Sequence, residues 1–139
     1  MRQGSLFDDV PSLAGLMPAV RAAMHRAAGQ DEEGRKRLVD RINDVASREN
    51  LRLTGGNVRA ISKDTLDKML SAGDRDHKPS LEAIAAFVVA TGDVGPLAAL
   101  LRPFGLKLLT PEMERDALFG RAVREEKQAR KRRKQLEME

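Results

Sequence analysis

The apolar positions of this chain recur three and four residues apart, and no stretch alternates between apolar and polar residues as a half-buried strand does. This spacing predicts a first helix from Ser12 to Ala28, with Ser12 as its cap. A second helix is predicted from Asp31, since its carboxylate can cap a segment whose first turn is acidic. Leu38, Ile42 and Val45 form the apolar stripe of that helix.

A short third helix is predicted after Ser62, which is a suitable cap. Its apolar residues Leu66, Met69 and Leu70 can reach a core, together with Ile61 just before the cap. Gly73 is placed to end it in the left-handed conformation.

A fourth helix follows the polar turn "DRDHKP" and is capped by Ser80. Its sequence "LEAIAAFVVA" is apolar enough to be the centre of the core. We expect Phe87, with Leu81, Ile84 and Val88, to be buried against the first helix.

Two more helices complete the predicted architecture. A short one lies between Gly92 and Pro103, and a last one begins with Thr110 as cap and Pro111 at its first position. The fold is predicted to be all-α: a compact bundle of about five helices in residues 12–109, a charged C-terminal helix in 110–139, and an N-terminal arm in 1–11.

The net charge of +4 is concentrated at the C-terminus. Residues 121–139 hold eight basic and four acidic side chains, so residues 1–120 are neutral overall. A basic isoelectric point therefore says nothing about the body of the protein, and any nucleic-acid interface there must depend on local geometry.

Composition excludes several classes of site. The chain has no Cys, and its two His, His25 and His77, are far apart in sequence, so we expect no disulfide, no metal site and no cofactor. No apolar run approaches the ~20 residues of a membrane span, and the N-terminus lacks a signal-peptide pattern. We expect a cytoplasmic protein.

Three segments together resemble a known family. "RLVDRIN", "ISKDTLDKMLSAG" and "KPSLEAIAAFVVATGD" are similar to the repressor and Cro-like helix-turn-helix domains of temperate phages and bacterial regulators, most of all to phage-encoded lysogeny regulators. The resemblance covers about residues 12–108. The matching residues are Leu38, Val39, Ile42, Ile61, Ser62, Thr65, Leu66, Met69, Gly73, Pro79, Ser80 and Ile84.

The resemblance implies a helix-turn-helix whose recognition helix begins at Ser62, and it makes Arg35 the counterpart of a phosphate-contacting residue. The chain departs from the family in the turn, which takes three or four residues there but "DVASRENLRLTGGNVRAI" here. Either the second helix is extended or an insertion, about residues 47–60, lies beside the DNA-facing surface. Its Arg48, Arg52 and Arg59 are then phosphate contacts of a wing, or ordinary charges of a solvated loop.

The helix after Ser62 has the division that a major groove about 12 Å wide requires, with an apolar back and small polar or basic groups outside. Its internal pairs, Lys63 with Asp67 and Asp64 with Lys68, offer a second interpretation, namely a solvated helix that does not bind DNA. The candidate DNA-binding residues are Arg35, Ser62, Lys63, Asp64, Thr65, Asp67, Lys68, Arg75 and Lys78.

The basic tail permits three interpretations: phosphate contact, pairing with a second chain through a weak apolar stripe, or a solvated end. Phosphate contact is favoured, through Arg130, Lys131, Arg132, Arg133 and Lys134.

The leading functional hypothesis is a sequence-specific, phage- or prophage-derived transcriptional regulator that binds double-stranded DNA as a homodimer. The alternative is a protein-binding adaptor, antitoxin-like or an anti-regulator, on the same scaffold. An enzyme is not expected, since no nucleophile or acid/base pair is indicated and "TGG" lacks the context of a phosphate-binding loop.

Overall fold

The computed structural model describes residues 13–56 and 59–138, and this part of the chain is helical without strands. Its six α-helices confirm the predicted all-α class. They are α1 (Leu16–Ala28), α2 (Glu32–Glu49), α3 (Lys63–Leu70), α4 (Leu81–Thr91), α5 (Gly95–Leu101) and α6 (Pro111–Glu137). Single 3-10 turns precede α1 (Leu13–Gly15) and follow α5 (Arg102–Phe104). Ser12 and the N-terminal arm lie outside the described residues.

Four helices begin at the predicted cap. The side chains of Asp31, Ser62, Ser80 and Thr110 each accept a hydrogen bond from the backbone N–H three residues further on. Each bond satisfies one of the amides that a helix N-terminus leaves without an internal partner. The capping signals in the sequence therefore locate the starts of α2, α3, α4 and α6.

The prediction that Gly73 ends α3 was wrong. The helix ends at Leu70, Ser71 is extended (φ −85°, ψ 114°), and Gly73 does not have a positive φ. The physical reason is a side chain from another helix: Arg21 donates hydrogen bonds to the carbonyls of Lys68 and Met69. With these carbonyls satisfied, α3 needs no left-handed glycine after it.

The core is built from two helix pairings. Helix α1 packs mainly against α5, and α4 packs mainly against α2. Phe87 and Ile84 are buried as expected, but α4 as a whole packs mainly against α2 and only to a smaller extent against the predicted first helix. Leu81 was also wrongly placed: it is 71 % exposed, and it lies in line with the exposed residues Ala85 and Val89, four and eight positions further along α4.

The chain divides into two units. The first ends at Lys107, and the second, from Leu108, contains α6. Helix α6 buries none of its residues, and its Arg130 and Glu126 form a 2.7 Å ion pair one turn apart. No described helix is both long and apolar enough to cross a membrane.

Candidate nucleic-acid interface

Helix α3 presents a polar face outward. Leu66, Met69 and Leu70 are buried, whereas Ser62 at the cap is exposed. The side chain of Asp64 is 76 % exposed and that of Lys68 is 45 % exposed. These polar side chains therefore share the outer side of a helix that is anchored by its apolar back.

Both helical ion pairs expected from the spacing are present. Lys63 Nζ lies 2.8 Å from Asp67 Oδ2, and Lys68 Nζ lies 3.1 Å from Asp64 Oδ2. The two pairs make the charges of α3 cancel. They differ in setting, since Lys68 and Asp64 pair in solvent, while Asp67 is bound by a second cation from α2.

That second cation is Arg35, which holds α3 to α2. Its Nη1 lies 2.8 Å from Asp67 Oδ1, and its Nε donates to the carbonyl of Gly29 at 2.8 Å. The Arg35 side chain is only 13 % exposed. The predicted phosphate contact is thus placed in the α2–α3 contact, where its guanidinium positions the helix.

The carboxyl group of Asp67 is ionised in this arrangement. Partial burial raises its pKa, but the hydrogen bonds from Lys63 and Arg35 outweigh burial and leave the pKa below its usual value. The hydrogen bond to Asp67 likewise raises the pKa of Lys63. Lys63 also lies 3.8 Å from Glu32, so the first residues of α2 and α3 are neighbours.

A buried arginine that was not predicted from the sequence holds the other end of α3. Arg21, on α1, is only 2 % exposed. Its Nε, Nη2 and Nη1 donate to the carbonyls of Met69, Lys68 and Asp74 at 2.7, 2.6 and 2.6 Å. The only signal in the sequence was its position among the apolar residues Val20 and Met24 of α1.

The turn after α3 carries the candidate cations Arg75 and Lys78. Both are exposed, and neither has an ion-pair partner within residues 13–56 and 59–138. The turn is ordered by Asp74, whose carboxylate accepts from the backbone N–H of Asp76 and His77 and lies 3.0 Å from His77 Nδ1. The hydrogen bond with His77 holds the pKa of Asp74 below its usual value. Arg75 and Lys78 line a groove of about 470 Å³ beside α1.

The long α2–α3 connection contains both predicted alternatives, an extended second helix and an inserted loop. Helix α2 continues to Glu49, and a loop follows whose Leu53 is buried. Asn43 fixes the end of this loop, because its Nδ2 donates to the carbonyl of Ile61 and its Oδ1 accepts from the Ile61 N–H, both at 2.9 Å. This clamp was not predicted from the sequence either.

The three arginines of the connection have different surroundings. Arg48 lies on α2, 3.5 Å from Asp44, while Arg52 and Arg59 are exposed on the loop. The backbone N–H of Arg52 donates to Glu82 on α4. Since Arg48 is helical, the loop itself supplies only Arg52 and Arg59 as possible phosphate contacts.

Helix α6 gathers cations on one face. Arg124, Lys127, Lys131 and Lys134 follow one another at spacings of three, four and three residues. Because successive helical residues point about 100° apart, Arg132 and Arg133 point elsewhere, and Arg130 is paired with Glu126. The predicted run of five cations is therefore not one surface. The face extends back to Arg124 and Lys127 instead.

Within the described residues, no group of three His, Asp or Glu side chains is placed to hold a metal ion. The chain matches no protein-family model, no curated protein and no solved structure.

Proposed function

We propose that this protein is a sequence-specific regulator that binds double-stranded DNA and reads the major groove with α3. The observation that carries this proposal is that α3 is a short helix with an exposed polar face and that both of its ends are fixed to neighbouring helices. Its resemblance to phage repressor-like domains supports the same function and suggests a phage or prophage origin and a homodimeric protein.

Base recognition requires a reading helix whose position is fixed before binding. Arg35 and Asp67 join α3 to α2, and Arg21 joins its C-terminal carbonyls to α1. The apolar residues beneath it are buried in the core. These anchors leave the polar face free for a ligand that is rigid and regular, as duplex DNA is.

The strengths of the ion pairs decide which side chains can contact bases. An exposed pair one helical turn apart contributes only about 0.2–0.5 kcal/mol, so Lys68 and Asp64 separate at little cost. Lys68 can then donate to guanine O6 or N7, and Asp64 can accept from cytosine N4. Asp67 is held by Lys63 and Arg35, which assigns these three residues to positioning the helix.

Replacing Lys68 with Ala should weaken specific binding by about 1–3 kcal/mol and relax the preference at one base position. Selection from random duplex DNA, followed by titration of selected and scrambled duplexes, measures both effects. Lys36→Ala is the matched control, since Lys36 forms a similar exposed pair with Glu33 on α2. Equal losses on specific and scrambled duplexes would show that Lys68 contacts only the backbone.

The basic face of α6 supports a separate contribution from phosphate contacts. Truncation after Gly120 removes the entire net charge of +4 and leaves α3 intact. All duplexes should then bind more weakly, and the order of preference among them should be unchanged. The slope of log K against log salt should become shallower by about 0.9 for each phosphate that α6 no longer neutralises. A titration over several salt concentrations measures the slope.

Two results of this truncation would count against phosphate contact. A change from dimer to monomer in sedimentation would assign α6 to subunit pairing. An unchanged salt slope and an unchanged oligomeric state would assign it to the solvent.

One observation favours the adaptor function as a second candidate. The charges of α3 cancel in pairs, so its face lacks the net positive charge that attracts phosphate. Binding to a protein partner does not require a net positive charge on this face. Sequence-selective binding to duplex DNA that persists after truncation at Gly120 would exclude the adaptor function as the main role of α3, and its absence would support it.

A further inference from the structure

The groove between α1 and the turn that follows α3 is lined by both apolar and cationic side chains. Met17 and Pro18 of α1 and Ala72 of the turn are among its apolar residues, and Arg75 and Lys78 are two of its cations. Its volume of about 470 Å³ lies within the range of sites that bind small molecules. We call it the α1–turn groove.

Arg21 also lines this groove, and its buried charge has no carboxylate partner among the described residues. The side chain is 2 % exposed, and its three hydrogen bonds all go to backbone carbonyls. Buried charges in proteins are normally paired with an opposite charge. A guanidinium has five N–H groups, so hydrogen bonds to three carbonyls leave two of them for another acceptor. The environment of Arg21 therefore favours an anion in the groove.

The charges that line the groove match those of a dianion. Arg21, Arg75 and Lys78 contribute three positive charges and Asp74 contributes one negative charge, which leaves the lining residues with a net +2. The carboxylate of Asp74 already accepts hydrogen bonds from two backbone N–H groups of its own turn. Asp76 belongs to the same turn and does not line the groove. A phosphate monoester carries about −1.5 to −2 charges at neutral pH, and guanidinium groups bind phosphate in bidentate geometry.

We infer that the α1–turn groove binds a small organic phosphate monoester. The phosphate group accepts hydrogen bonds from Arg75 and Lys78, whose side chains are exposed and have no ion-pair partner within the described residues. The organic part of the ligand packs against Met17, Pro18 and Ala72. This site goes beyond the proposed function, because binding of a small ligand there does not depend on what α3 binds.

A ligand in this groove contacts α1 and the turn after α3 at the same time. Arg21 already joins these two elements through the carbonyls of Lys68, Met69 and Asp74. The bound phosphate adds the counter-charge that Arg21 lacks and a second link between the same elements. Since the groove exists only in the folded chain, the ligand should raise the melting temperature.

The test uses phenyl phosphate as the probe and isotope-labelled full-length protein, followed by amide chemical shifts. Saturable shifts are expected in residues 17–21 and 72–78. The double variant Arg75→Gln, Lys78→Gln should bind about tenfold more weakly, since it removes charge-assisted hydrogen bonds to the phosphate. Its matched control is Arg102→Gln, Lys107→Gln, which removes the same two kinds of cation from exposed positions outside the groove.

The amide spectrum of each variant also shows whether it is folded. The control variant should bind phenyl phosphate as the native chain does, and its melting temperature should rise in the same way. Equal affinities of the two double variants would overturn the inference. Shifts confined to α6 would overturn it too, because they would assign the phosphate to the basic face of that helix.

Two further probes separate the parts of the inference. Phenol has the same ring without the charge, so equal binding of phenol and phenyl phosphate would contradict a phosphate site. A duplex that shifts the amide signal of Lys68 should leave phenyl phosphate bound, whereas displacement would assign the groove to the DNA backbone and overturn the small ligand. If no duplex shifts α3, the proposed function fails, and the result with phenyl phosphate alone still decides the groove.

Discussion

Replacing Arg21 with Ala should lower the free energy of unfolding by about 3–5 kcal/mol. The side chain makes three hydrogen bonds from a charged donor, each contributing about 1.5–3 kcal/mol in such settings. Its removal also takes from the Met69 carbonyl a buried hydrogen bond, whereas the Lys68 carbonyl still accepts from the Ser71 N–H. The loss is partly offset because a buried charge no longer has to be desolvated. A domain of this size has a total stability of only about 5–15 kcal/mol.

Urea denaturation followed by far-ultraviolet circular dichroism measures this change, since the chain has no Trp or Tyr for fluorescence. Arg26→Ala is the control, because Arg26 is an exposed residue of the same helix and its replacement should change stability by less than about 0.5 kcal/mol. Arg21→Met retains most of the apolar stem and should still be strongly destabilised. If Arg21→Ala unfolds within about 1 kcal/mol of the native chain, the carbonyl bonds contribute little net stability.

Replacing Phe87 with Ala should cost about 3–5 kcal/mol, because apolar burial is reduced and a cavity remains. Phe87 is 1 % exposed on the inner side of α4, where it packs in the core shared with α2. A loss of this size approaches the whole stability of the domain, so the variant should be partly or fully unfolded at a temperature of about 37 °C.

Thermal unfolding compares this variant with two others. Phe87→Leu removes less volume and should remain folded with a smaller loss, which gives a measurable intermediate point. Phe119→Ala is the matched control, because Phe119 is 72 % exposed on α6 and its replacement should leave the melting temperature nearly unchanged. A Phe87→Ala variant that melts with the native chain would contradict the burial of this ring.

Local signals in the sequence predicted local structure well. Asp31, Ser62, Ser80 and Thr110 each act within three residues of their own position, so a capping pattern is sufficient to place the helix start. The pairs within α3 follow in the same way from a spacing of four residues.

Features that depend on distant parts of the chain were not predicted. Arg21 binds carbonyls 47 to 53 residues away, and Asn43 clamps Ile61 across 18 residues, so no window of neighbouring sequence contains either contact. The same limit explains the two core errors. Gly73 was predicted to end α3 because the sequence did not reveal that Arg21 binds the carbonyls at the end of this helix. Helix α4 was predicted to pack on α1 because the order of the helices along the chain does not determine which of them pack together.

Because Asn43 clamps Ile61, the position of α3 does not depend on the length of the loop that precedes it. Both backbone groups of Ile61 are held by one amide on α2, and the loop is fixed upstream by buried Leu53. Residues between these points can be added or removed at a cost that grows only logarithmically with loop length. This segment is therefore a suitable place for an engineered insertion or tag that leaves the outward face of α3 unmoved.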